Sequence, residues 1–148
     1  MQATDQNAVV IDVSFNASVS DVWRAWTNAA IIAKWFGSDP NGEVLAAELE
    51  VCVSGSFKIT FKDSDQTEHT CFGVYKKVEE FSKLAFTWAW KDEPGVESLV
   101  TVLIYPNGNT TSMHFEHAHL GNASMHNYLQ GWNATFLKLK RVLAEQQK

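Results

Sequence analysis

The sequence predicts a two-layer α+β domain, a curved antiparallel sheet covered on one side by a long C-terminal helix. Three observations predict it. From about residue 43 to residue 119, apolar residues recur with a period of two in short runs separated by turn signals. Beyond residue 124 the apolar period changes to steps of three and four and holds almost to the end. Two short helical patterns stand between a first strand and this block, an order that calls for one sheet and one main cover.

The first strand is Val9 to Phe15, where Val9, Ile11, Val13 and Phe15 alternate with Val10, Asp12 and Ser14. Ser18 then precedes Asp21 by three residues, a capping-box spacing. The helix it opens carries Val19, Val22, Trp23 and Trp26 at helical intervals. A second helix, about Ala29 to Phe36, turns Ile31, Ile32 and Trp35 inward; Gly37 fits its C′ position and Pro40 bars continuation. Trp23, Trp26 and Trp35 are expected to pack these helices on the sheet.

Leu45, Ala47, Leu49 and Val51 alternate with Glu48 and Glu50, which places those carboxylates outward. Gly55 to Lys62 sets Phe57, Ile59 and Phe61 against Lys58, Thr60 and Lys62, and Asp63 to Gln66 is a polar turn. Thr70 to Val78 sets Phe72 and Val74 opposite to Cys71, Gly73 and Tyr75. Leu84 to Trp90 puts Leu84, Phe86, Trp88 and Trp90 on one face, and Lys91 to Gly95 turns the chain. Val96 to Tyr105 and Thr110 to Leu120 flank Pro106-Asn107-Gly108-Asn109, a hairpin signal. Runs this closely spaced form an antiparallel meander.

The cover is the last helix, capped at Asn122 or Ser124 and running to about Gln146. Met125, Leu129, Trp132, Phe136, Leu139 and Leu143 form its apolar stripe, worth on the order of 10–15 kcal/mol before entropy. Lys138, Arg141 and Glu145 fall on the solvated side. Residues 1–148 read as a single domain with an ordered core from about 9 to 146.

Composition narrows the function. Hydrophobic residues are 45% and charged residues 20% of the 148, as in ordinary globular chains, which excludes disorder. A formal charge of −5 argues against nucleic acid and against an anionic membrane surface. No apolar run is long enough to cross a bilayer and no signal peptide opens the chain, so a cytoplasmic location is expected, with Cys52 and Cys71 as free thiols. Six Trp and nine Phe are many for this length and suggest a ring-lined core or cavity.

Within that frame the residues resemble a known family. Val22-Trp23-Arg24-Ala25-Trp26-Thr27 is followed by Ala33-Lys34-Trp35-Phe36-Gly37, Val53-Ser54-Gly55-Ser56-Phe57 and Leu84-Ala85-Phe86-Thr87-Trp88 with Trp90. Glu97-Ser98-Leu99-Val100-Thr101-Val102, Pro106-Asn107-Gly108 and Gly131-Trp132 complete the set. In identity, order and spacing they look like bacterial members of the SRPBCC (START-like) superfamily. More narrowly, they resemble those grouped with the C-terminal domain of the activator of the heat-shock protein 90 ATPase. The resemblance implies a helix-grip fold: a seven-stranded sheet around the last helix, two short helices in its first crossover, and a cavity between sheet and helix. It departs from the family twice. Many relatives carry a His three residues before Gly-Trp, where this chain has Tyr128, with His126 two residues earlier. The strand that usually ends Thr-x-x-Thr-His reads Met113-His114-Phe115-Glu116-His117-Ala118-His119, with His117 at the family position.

The residues offer three kinds of site. His117 and His119, two apart on an expected strand, share a face as in some metal sites, with His114 and Glu116 opposite, yet no further ligands follow at a metal spacing. No metal and no cofactor are expected. For acid/base chemistry the candidates are His117 and Tyr128, then Glu48, Glu50 and Glu97, with no nucleophile elbow, P-loop or dinucleotide fingerprint beside them. The aromatic face is the third: Phe57, Phe86, Trp88, Phe115, Trp132 and Phe136, with His117 and Tyr128, are expected to line a ligand cavity. The leading function is binding of a small hydrophobic or aromatic molecule there. A cyclase- or hydrolase-like enzyme in the same cavity comes second, and a co-chaperone acting on the heat-shock protein 90 ATPase third. No feature demands a homodimer, though none forbids one.

Overall fold

The computed structural model describes residues 8–93, 95–120 and 122–146; side chains of residues 122–127 and 146 lie outside that description. Seven antiparallel strands form one sheet in the order β1-β7-β6-β5-β4-β3-β2, so every sequential pair from β2 to β7 is a hairpin neighbour and β1 closes against β7. The strands are β1 (Val9–Phe15), β2 (Glu43–Leu49), β3 (Ser56–Lys62), β4 (Glu68–Glu79), β5 (Lys83–Trp90), β6 (Ser98–Asn107) and β7 (Thr110–Ala118). Between β1 and β2 come α1 (Val19–Thr27) and α2 (Ala29–Trp35), and α3 (Asn122–Gln146) ends the fold. This is the α+β helix-grip architecture that the sequence predicts.

The local signals act as their chemistry requires. The Ser18 hydroxyl accepts from the Asp21 amide at 3.1 Å and caps α1. Asn28 ends α1 and caps α2 through its side chain, which accepts from the Ile31 amide. Gly37, at φ +103°, takes the left-handed position after α2 that side chains disfavour. At Gly73 the sheet leaves no room for a side chain, because a Cβ there would meet the Thr87 carbonyl oxygen at 1.9 Å.

Several expectations are corrected. β7 stops at Ala118 because His119 adopts φ +64°, so the alternation breaks; His117 is fully buried and His119 exposed, and they do not share a strand face. β6 begins at Ser98, leaving Val96 exposed in the turn, and β4 begins two residues earlier than the pattern suggests. A register shift between Val44 and Ala46 turns Leu45 outward. In α3 the buried stripe is Trp132, Phe136, Leu139 and Leu143, while Leu129 is exposed. Four such side chains contribute about 6–12 kcal/mol before entropy. Lys138 is half-buried instead of solvated, its ammonium donating to the Asp39 carbonyl at 3.0 Å. Asn122 and Ser124 stand inside the first turn of α3; their side chains, with those of Met125 and His126, lie outside the described residues.

Candidate functional site

The space between sheet and α3 is filled in its middle and hollow at one end. Trp26 of α1 fills the middle. Its ring lies 6.1–6.3 Å from those of Phe86, Phe115, Trp132 and Phe136, and its Nε1 donates to Met113 Sδ at 3.3 Å. Phe115 and Phe136 are packed solid around it. Phe57 and Phe86 border a residual space of about 10 Å³, room for a single water at most.

At the other end a cavity of about 450 Å³ opens to the surface. Its walls come from five elements. The C-terminus of α2 and the loop after it supply Phe36, Gly37 and Ser38; β3 and its turn supply Phe61 and Asp63; β4 supplies His69. Trp88 and Trp90 project from β5, with Asp92 and Glu93 just beyond, and α3 closes the far side with Tyr128, Gly131, Trp132 and Thr135. Alternation places Trp88 and Trp90 on one face, their rings 5.2 Å apart and nearly perpendicular. Phe36 meets Phe61, Trp88 and Trp132 at 5.5–6.1 Å, so the inner end of the cavity is ringed by aromatic edges and faces.

Tyr128 sets its hydroxyl among these rings. Trp90 Nε1 donates to Tyr128 Oη at 2.5 Å. Trp88 Nε1 is close enough to polarise the same oxygen, yet it is buried with no hydrogen bond of its own. Burial pushes the Tyr128 phenol upward, the two indole N–H groups pull it back in part, and Glu93 adds to the rise. Tyr128 is therefore a neutral phenol that accepts from an indole and retains its own proton to donate.

At the mouth, His69 Nε2 donates to Asp63 Oδ2 at 2.8 Å. The imidazole sits 5.2 Å from Phe61 and 6.1 Å from Trp90, ring to ring. Asp39 fastens the loop after α2 to the β3–β4 turn by accepting from the Ser64 amide and hydroxyl, both at 2.8 Å. These bonds, the Ser64 amide foremost, hold its carboxyl below the usual range.

His117 lies behind this wall and does not line the cavity. Trp132 Nε1 donates to its Nδ1 at 3.0 Å, so the ring proton is on Nε2, which donates to Ser98 Oγ at 2.7 Å. The Ser98 hydroxyl in turn donates to the Trp88 carbonyl at 3.3 Å. Burial lowers the imidazole to about 3, and it stays neutral. Both nitrogens are committed, leaving none free to act on a bound molecule.

Of the eight expected ligand-binding residues, the structure brings Trp88, Tyr128 and Trp132 to the cavity. Phe57 and Phe86 border the small inner space, and Phe115, Phe136 and His117 sit in the packed layer. Glu48, Glu50 and Glu97 are exposed on the exterior, and His114 pairs across strands with Asp12 at 2.7 Å. Among the described residues no group of three or more His, Cys, Asp or Glu is placed to hold a metal ion. Phe61, Asp63, His69, Asp92 and Glu93 were not singled out from sequence. The hairpin register could have found two of them, since a turn at 63–66 sets His69 opposite Phe61.

A seven-stranded antiparallel sheet closed on a C-terminal helix, with a pocket between them, defines a helix-grip protein of the START-like class. The chain belongs to the family described as activator of Hsp90 ATPase homolog 1-like proteins, whose model matches residues 16–144. Solved structures agree in fold. A Nitrosomonas europaea protein is 17% identical, with TM-score 0.83, over 97% of this chain and 99% of its own. The AHSA1 protein from Silicibacter pomeroyi is 21% identical, with TM-score 0.82, over 94% and 99%. CalU16 from Micromonospora echinospora is 20% identical, with TM-score 0.72, over 95% and 78%. No curated protein matches the chain. Identities this low speak for the fold alone.

Proposed function

We propose that this chain is a cytoplasmic binding protein for a small hydrophobic or aromatic molecule, held in the cavity between sheet and α3. One observation carries the reading: a cavity of about 450 Å³, in the size range of small-ligand sites, is walled by aromatic rings beside the Tyr128 hydroxyl. Trp88, Trp90, Trp132, Phe36 and Phe61 supply apolar contact, and Tyr128 orients the ligand through one hydrogen bond to an acceptor such as a carbonyl or ether oxygen. Binding is favoured over turnover because His117, the family-position histidine, has both nitrogens engaged in the core.

The test is thermal denaturation in the presence of a panel of lipophiles spanning aromatic, alkyl and polycyclic bodies. A ligand at about a hundred times its Kd stabilises the fold by about 2.7 kcal/mol, a readily measured rise in Tm. No rise across the panel would set the reading aside.

A further inference from the structure

The cavity is one-sided in charge. Its described lining carries three carboxylates, Asp63, Asp92 and Glu93, with His69 the sole basic side chain and no Lys or Arg. Two nearby cations do not contribute to that lining. Lys138 senses the Asp63 charge but turns its ammonium to the Asp39 carbonyl, and Lys91 is exposed on the turn beside Asp92. Asp63 is fixed in place, since His69 Nε2 donates to its Oδ2 while its backbone closes the β3–β4 turn. The aromatic wall adds to the same field, because Phe61, Trp90, Tyr128 and their neighbours present ring faces whose quadrupoles are negative. A recess walled by low-dielectric rings focuses such a potential instead of dissipating it into solvent.

Resting on the binding reading above, we infer that the cavity takes a lipophilic cation: an aromatic or aliphatic body bearing a protonated amine or quaternary ammonium. The apolar body meets Trp88, Trp132 and Phe36 at the inner end. The charge lies at the mouth, between the Asp63 and Glu93 carboxylates and the Trp90 and Phe61 rings, where cation–π and ionic attraction act together. An anionic lipophile such as a fatty acid meets three like charges at the same place and is disfavoured.

The experiment compares three probes with one body and different charge, naphthylmethylammonium, naphthylmethanol and naphthoate, titrated calorimetrically into the purified protein. The cation is expected to bind on the order of tenfold more tightly than the neutral alcohol at low salt, and more tightly again than the carboxylate. Its lead should shrink as ionic strength rises. The readout is the ratio of cation to alcohol affinity. Asp63→Asn should cut that ratio several-fold, and Asp92→Asn with Glu93→Gln, both on an exposed turn and harmless to folding, should cut it too. If no probe binds, the binding reading itself fails. If the alcohol binds and the cation shows no advantage, or naphthoate binds most tightly, the charge inference alone is overturned.

Discussion

Trp132 Nε1 donates to His117 Nδ1 across 3.0 Å, joining the middle of α3 to β7 within the buried layer. The bond fixes the imidazole tautomer, and through Ser98 it continues to the Trp88 backbone, so α3, β7, β6 and β5 are linked by one polar thread in an aromatic core.

That thread makes acid stability depend on His117. An ordinary histidine takes up its proton near pH 6.5, whereas burial holds this one neutral down to about 3. Between those values the unfolded chain binds the proton and the folded one does not. Unfolding free energy should therefore fall as pH drops below about 6.5, by up to about 1.4 kcal/mol per pH unit from this group, and level off near pH 3. Urea denaturation at a series of pH values checks it. His117→Phe should flatten this part of the acid limb while lowering stability at pH 7, because the Trp132 indole N–H loses its acceptor and Ser98 Oγ loses its donor.

Tyr128→Phe removes the oxygen that accepts from Trp90 Nε1. It should cost about 1 kcal/mol of stability and, for ligands bearing an oxygen acceptor, about tenfold in affinity. Binding of a purely hydrocarbon probe measured alongside should change far less.

Gly131 stands in α3 with its α-carbon toward the cavity, and a Cβ there meets only Ser38 Cβ at 3.8 Å. Gly131→Ala should stabilise the helix by about 0.5–1 kcal/mol, seen as a higher denaturation midpoint. Gly131→Phe puts a ring into the cavity and should abolish the ligand-induced rise in Tm while the far-ultraviolet circular dichroism remains that of the folded protein.

Gly73→Ala tests the close approach of β4 to β5. The added methyl would stand 1.9 Å from the Thr87 carbonyl oxygen and 2.7 Å from the Phe57 ring, neither of which is the free end of a flexible chain. The strands must part, and a loss of about 3 kcal/mol is expected by chemical denaturation.

Strand and helix identities were legible because each rests on local chemistry. The alternation in Val9–Phe15, the Ser18 cap and the Trp132-Phe136-Leu139-Leu143 stripe each declare which side of an element faces inward. The end of β7 was not legible, since the left-handed turn at His119 has no glycine to announce it. Nor was the misplacement of Leu45, which a one-residue register shift sends outward without changing the alternation of residue types.

By itself, then, the sequence determined the order of elements, the inward faces and an aromatic interior. Tertiary structure alone decided that Trp26 would occupy the middle of that interior and leave a hollow beside Trp90 and Tyr128. It alone brought His69 onto Asp63 at the mouth and sealed His117 between Trp132 and Ser98. The reason is that periodicity records the direction of a side chain relative to its own backbone. How completely two opposing surfaces fill the volume between them depends on sheet curvature, helix position and the reach of rings from a third element, none of which a single element encodes.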